Sequence, residues 1–384
     1  MSRAWTKTWG GAAARLAIGC LVAVGLFACT PKKEMPPQPK APIYQLDPAL
    51  AALYAESGAQ GMVVAVVRDD KVIVRGFGRV HTADPTVPDG ATLVRLESIS
   101  KLFASDLLAH MAAQGKVKLS DPLPEPVRRR GKAPASITLL QLASHTSGLP
   151  RVAPIDPKLN AAGSAALRLS WLETRAHRDP PGVGGLYSNV AFDLLGDHLA
   201  AVAGAPYVAA LKTQVTGPLM MIDTTSQPTP EECARFLDAD PARPPKPCID
   251  QSGFTASGGL YSTADDIGKW LKAQLGAGLA EDPVRRISQA VYIPRSSLKT
   301  AVGLDHAGFA EGVGLAWIEE AATANHPLIL EKTGGGDGFL TYVVIDPARR
   351  VGLFFAIDHV GHGVLTPMTQ TANDIVGALG TSPG

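Results

Sequence analysis

Residues 340–357 read Leu-Thr-Tyr-Val-Val-Ile-Asp-Pro-Ala-Arg-Arg-Val-Gly-Leu-Phe-Phe-Ala-Ile. Two runs of β-branched and aromatic residues, 340–345 and 351–357, flank Asp346-Pro347-Ala348-Arg349-Arg350, whose Asp and Pro supply turn chemistry. The pattern predicts a β-hairpin. A second hairpin of the same build lies near the other end, with Met62–Val67 and Val72–Phe77 around Arg68-Asp69-Asp70-Lys71. The hairpin is largely apolar along its length, so burial on both faces is expected. Leu50, Ala51, Leu53 and Tyr54 recur at helical spacing within Asp47–Ser57. A closing helix is expected from Pro367 to Leu379, with Gly380 just beyond. Between these ends, roughly 100 to 255 is rich in helical patterns and Pro/Gly loops. The expected architecture is α+β and sandwich-like. One antiparallel sheet is built from both chain ends and flanked by helices, a mainly helical lobe is inserted, and a cleft opens where sheet meets lobe.

The composition allows this. Of 384 residues 46% are hydrophobic and 18% charged, enough for a sizeable core. Lys plus Arg number 36 against 35 Asp plus Glu, and no basic run stands out, so no nucleic-acid partner is implied. The first 28 residues read as a signal segment, with Arg3, Lys7 and Arg15 ahead of the apolar stretch Leu16–Ala28. Leu26-Phe27-Ala28-Cys29 resembles the lipobox of bacterial lipoproteins, which implies a lipid on Cys29 and a membrane anchor in the periplasm. Thr30 follows without an Asp retention signal and points to the outer membrane. Residues 29–45 hold Pro36, Pro37, Pro39 and Pro42 and are expected to form an extended tether. The catalytic domain would then run from 46 to 384. With Cys20 in the signal and Cys29 lipidated, Cys233 and Cys248 are expected to form a disulfide in an oxidising compartment.

Three short motifs carry chemistry. Ser98-Ile99-Ser100-Lys101 opens a helix whose buried face is Ile99, Leu102, Phe103 and Leu107. A serine hydroxyl needs a base at neutral pH, and a lysine desolvated in a cleft can provide one three residues away. The helix N-terminus favours developing oxyanion charge. Tyr187-Ser188-Asn189 follows the Gly-rich loop 180–185 and precedes the helical run Val190–Ala203. Its tyrosine can relay a proton and its amide can hold a peptide group. Lys332-Thr333-Gly334 leads toward the strand 340–345, where a cation and a hydroxyl at the strand's lip suit a carboxylate and glycine permits close approach. His145 is expected to be a structural hydrogen-bonder, and Trp270 and Trp317 core residues. No metal-ligand spacing or cofactor motif is present, so neither is implied.

In this order the motifs resemble those of the serine β-lactamase and penicillin-binding protein superfamily. The Tyr-Ser-Asn form is similar to class C β-lactamases and low-molecular-mass penicillin-binding proteins. The segments 137–150 and 258–266 also resemble that superfamily, and Thr216-Gly217-Pro218-Leu219-Met220, the Cys233/Cys248 pair and Lys332–Phe339 resemble AmpH-type D-alanyl-D-alanine carboxypeptidase/endopeptidases. The resemblance covers essentially everything after residue 45. It implies a β-lactamase/transpeptidase-like fold that acts on peptidoglycan stem peptides and is acylated by β-lactams. Ser98 would be the nucleophile, Lys101 the base, and Tyr187 the proton donor to the leaving amine. Asn189, Lys332, Thr333 and Gly334 would hold substrate, and the backbone N–H groups of Ser98 and Gly335 the oxyanion.

Three features depart from this pattern: the lipobox at Cys29, where the relatives are expected to be soluble or peripherally bound, and the residues Glu97 and Asp337. Glu97, directly before the serine, is expected to raise the Lys101 pKa and weaken it as a base. Asp337 interrupts the glycine run and is expected to disfavour anionic substrates. A class C-like β-lactamase, an esterase of the same fold and a non-catalytic peptidoglycan-binding lipoprotein remain alternatives.

Overall fold

The computed structural model describes residues 46–82, 85–123, 137–152, 168, 171, 180–238, 248, 255–276, 281–304, 310–336, 339–358 and 363–381. The signal segment, Cys29, the Pro-rich tether and Asp337 lie outside them.

The hairpins at the two ends of the chain zip into one antiparallel sheet. β1 (Gly61–Arg68) and β2 (Lys71–Gly78) pair across a two-residue turn. Asp69 and Asp70 both take φ in the left-handed region there (48° and 65°), the geometry of a turn whose twist suits a hairpin. β11 (Phe339–Asp346) and β12 (Val351–Asp358) form the other hairpin, with Asp346 accepting the Arg349 N–H in the turn. β1 then pairs along its whole length with β12, joining Gly61 to Asp358 and Arg68 to Val351. β10 (Ile329–Gly336), β9 (Ile318–Glu320), β8 (Ala310–Val313) and β6 (Ile293–Pro294) extend the sheet. Among the described residues the order is β2-β1-β12-β11-β10-β9-β8-β6, all antiparallel.

Alternation along the central strands feeds two cores. On one face Met62, Val64, Val66, Val344, Leu353, Phe355 and Ile357 pack under α1 (Leu46–Ser57) and α6 (Leu365–Thr381), which contribute Leu50, Leu53, Met368, Ala372, Ile375 and Val376. On the other face Val63, Ala65, Val67, Val343, Ile345, Phe354 and Ala356 join a larger core. It includes α2 (Ser100–Ala113), α4 (Asn189–Ala203) and α5 (Ala264–Leu275). Burying each such side chain contributes about 1.5–3 kcal/mol. Trp270 and Trp317 are core residues of this second face, stacked at 6.0 Å.

Three expectations are corrected. β2 is not buried on both faces: it is the sheet edge, with Val72 and Ile73 exposed, because among the described residues no strand lies beyond it. α6 runs through Gly380 to Thr381, since the packed face continues and the glycine is not used as a cap. Lys332-Thr333-Gly334 lies inside β10, paired with Val343, Tyr342 and Thr341. It is not at a strand lip, because the strand starts at Ile329 and carries on through three glycines. Cys233 and Cys248 are disulfide-bonded, their Cα atoms 5.6 Å apart. Among the described residues no single helix is long and apolar enough to cross a membrane.

Candidate active site

Ser98 sits in a single 3₁₀ turn, Glu97–Ile99, that runs directly into α2. Neighbouring strands anchor the turn. The Leu96 N–H donates to the Leu260 carbonyl at 2.9 Å, and Thr341 of β11 donates its hydroxyl to the Leu96 carbonyl at 2.9 Å. β10 passes so close that a Cβ on Gly334 would meet the Ser98 nitrogen at 3.1 Å and the Leu96 oxygen at 2.9 Å. Only glycine allows the strand to lie against the start of the helix.

Tyr187 arrives from the helical side. It follows β4 (Gly185–Leu186), which runs parallel to β7 (Ala301–Val302), and its N–H donates to the Val302 carbonyl at 3.0 Å. Ser188 caps α4 by accepting the Ala191 N–H at 3.0 Å, while its hydroxyl donates to the Pro150 carbonyl at 2.7 Å. Gly204, at φ 63°, closes the helix. His145 Nδ1 accepts the Ser188 N–H at 3.1 Å and the ring stacks on Tyr187 at 4.4 Å. Burial, then the charges of Lys101, Lys332 and Arg151, hold His145 well below the usual imidazole range, so it is neutral. It orients Tyr187, which is a structural task.

These elements converge on one hydroxyl. Ser98 Oγ accepts from Lys101 Nζ at 3.1 Å and from the Tyr187 hydroxyl at 2.5 Å. Lys101 Nζ also donates to Asn189 Oδ1 at 2.8 Å and to the Ser257 carbonyl at 2.5 Å, so all three ammonium protons have acceptors. Lys101 is fully buried. That burial pushes its pKa down to about 7; Asp193 opposes the fall, Arg151 adds to it, and Glu97 opposes it. A lysine poised there can take a proton near neutral pH. Glu97 acts in the direction its sequence position suggested, as the last of these influences. It is buried at φ 51°, in the left-handed region, and paired with Arg95 at 3.2 Å.

Lys332 lies 5.3 Å from the Tyr187 ring centroid and donates to the Thr333 carbonyl at 2.7 Å. Burial lowers its pKa; Tyr187 and Glu331 oppose this, and Lys101 and Arg151 reinforce it. A cavity of about 140 Å³ opens over the serine, lined by Ser98, Arg151, Tyr187, Thr333, Gly334, Gly335, Leu340 and Leu365. That is small beside a pocket for a drug-sized ligand and suits a short terminal group. Every site residue expected from the motifs and described here therefore meets at one place: Ser98, Lys101, Tyr187, Asn189, Lys332, Thr333, Gly334 and Gly335.

Three neighbours were not anticipated. Arg151 places its guanidinium 4.6 Å over the Tyr187 ring, and its carbonyl accepts the Asn189 N–H at 2.8 Å. Its only sequence signal is its place just after Leu149-Pro150. Ser257 supplies a carbonyl to Lys101, a role no side-chain pattern announces. Asp193 is a buried carboxylate four residues beyond Asn189 in an apolar helix, and that spacing on one helix face was a usable signal.

The beta-lactamase family model matches residues 46–366. The chain is 33% identical over 336 residues to D-alanyl-D-alanine-carboxypeptidase/endopeptidase AmpH of Escherichia coli (strain K12), covering 85% of this chain and 86% of that protein. The crystal structure of a beta-lactamase/D-alanine carboxypeptidase from Yersinia pestis complexed with citrate is similar at a TM-score of 0.77 and 35% identity, over 85% of this chain and 95% of that one. A class C beta lactamase from Rhodobacter sphaeroides shares the fold at a TM-score of 0.70 and 22% identity, over 86% and 97% of the two chains.

Proposed function

The chain belongs to the beta-lactamase family, and from that premise we propose that it is a penicillin-binding serine hydrolase cleaving D-alanyl peptide bonds of peptidoglycan, as a carboxypeptidase/endopeptidase. The observation that carries the reading is Ser98 Oγ held between a buried lysine and a tyrosine hydroxyl.

In this mechanism the terminal D-Ala carboxylate docks on Lys332 and Thr333, with Gly334 lining the cavity beside them. Asn189 holds the preceding amide. Ser98 Oγ bonds to the carbonyl carbon as its proton passes to Lys101. The oxyanion is taken up by the backbone N–H groups of Ser98, in the turn before α2, and of Gly335 in β10. Tyr187 protonates the departing amine as the C–N bond breaks, and the proton on Lys101 replaces the one Tyr187 gave. Water then cleaves the Ser98 ester. β-Lactams mimic the substrate and acylate the same oxygen. The protein works in the periplasm, tied to the outer membrane by lipid on Cys29 and held off it by the tether of residues 29–45.

Incubation with a peptide ending in D-Ala-D-Ala should release D-alanine, and Ser98→Ala should stop the release. No release, together with a penicillin adduct that forms and vanishes within seconds, would overturn the peptidase reading in favour of a β-lactamase.

A further inference from the structure

Asn189 and Asp193 sit one turn apart on α4. Asn189 meets Lys101 directly, whereas Asp193 reaches it through a third residue. Asp193 Oδ1 accepts the Ser257 N–H at 3.1 Å and Oδ2 accepts the Ser257 hydroxyl at 3.0 Å. The carbonyl of that same Ser257 accepts Lys101 Nζ at 2.5 Å. All three residues are buried. Both carboxylate oxygens thus grip the residue whose carbonyl receives one of the three ammonium protons.

We propose that Asp193 is a positioning residue for Lys101: it fixes the Ser257 carbonyl on Nζ and supplies the buried negative charge that governs when Lys101 holds its proton. The inference rests on the reading of Lys101 as the base for Ser98. Ion–dipole contact alone would be served by any carbonyl. A carboxylate behind the carbonyl adds a charge that favours the ammonium, and so delays the free base that attacks.

The surroundings allow this charge to act. Lys101 is faced by Ser98 and Glu97 from the 3₁₀ turn, by Asn189, Asp193 and the Phe192 ring from α4, and by the Tyr187 ring at 4.7 Å. The cations Arg151 and Lys332 and the neutral His145 complete the set. Asp193 is faced in turn by Arg168, which donates to Asp197 at 2.7 and 2.6 Å. Burial pushes the Asp193 carboxyl up to about 7. Arg168, Lys101 and the Ser257 hydrogen bond oppose that rise, and Asp197 adds to it. Burial disfavours both charges, and each favours the ionised form of the other.

The test is direct titration of Lys101. The full chain labelled with lysine bearing ¹³C at the ε carbon is followed by NMR, the Lys101 signal being the one lost in Lys101→Arg. Asp193→Asn keeps an acceptor for the Ser257 N–H and removes the charge. Its Lys101 midpoint should fall by about one unit, roughly tenfold more free base at a given pH on the acid side. The acid limb of penicillin acylation should move down by the same amount, which a merely structural role would not produce. An unmoved Lys101 midpoint overturns the proposal. If Asp193→Asn does not fold, Ser257→Ala gives the same reading: losing one hydrogen bond to the carboxylate disfavours its ionised form, so the Lys101 midpoint should fall by a smaller step. No movement there overturns the proposal equally. Failure of the hydrolase reading would appear separately, as a wild-type chain that penicillin does not label.

Discussion

The two faces of the central sheet are built from alternate residues of the same strands, yet they differ in what they bury. Under α1 and α6 the core is aliphatic and aromatic, and its main polar feature is the chain Tyr342–Asn373–Glu320, joined by hydrogen bonds of 2.8 and 3.3 Å. Toward α2 the sheet meets a core that also encloses Lys101, Asp106, Asp193 and Lys332. There burial lifts Asp106 to about 7 even though Trp270 and Gln274 donate to it. Buried charge costs stability, and it persists where hydrogen bonds satisfy it. Carboxylates are buried on both faces, Glu320 and Glu331 on the α1/α6 side, but among the described residues the buried lysines, Lys101 and Lys332, lie on the α2 side, where both flank the Tyr187 ring. Displaced pKa values gather where chemistry needs them.

This division can be broken by mutation. The largest effect is expected from Lys101→Ala. Penicillin acylation per folded molecule should fall by about a thousandfold or more. A rate within about tenfold of the wild type's would mean that another group takes the Ser98 proton. Phe355→Ala on the opposite face should do the reverse. It should cost about 3–5 kcal/mol of stability while the acylation rate per folded molecule stays within about twofold. Replacing Cys233 and Cys248 by serine should cost about 3 kcal/mol in chemical denaturation, again without slowing acylation. The mildest test is pH. With Lys101 lowered to about 7, the base form is lost on acidification, so the acylation rate should fall about tenfold per unit below that value and level off above it. A flat profile from pH 5 to 8 would remove the lysine from the proton path.

Much of this was legible in the sequence, for physical reasons. Unbroken β-branched runs around 62–77 and 340–357 declare strands, and Asp-rich turns declare where they reverse. Ser98 and Lys101 were legible because a helix start fixes their spacing. The placement of Lys332-Thr333-Gly334 was less so. Three successive glycines disfavour a strand by propensity, and β10 survives them because β11 pairs with it along its length. The exposure of β2 was signalled only by Arg75 within its otherwise apolar run, a charge that an edge strand tolerates. Asp193 was missed because a carboxylate in a helix ordinarily faces water, and the same helix carries a second, Asp197, that is only half-buried. Its partner Ser257 stands 64 residues away, brought to it by tertiary packing alone.

The central claim is that Ser98 is the nucleophile activated from this charged face. The direct measurement is incubation of the purified chain with a fluorescent penicillin, with the adduct followed over hours and its position mapped by peptide mass. A stable label on Ser98, absent from Ser98→Ala, is the predicted result. Label that persists in Ser98→Ala, or no label on the wild-type chain, would contradict it.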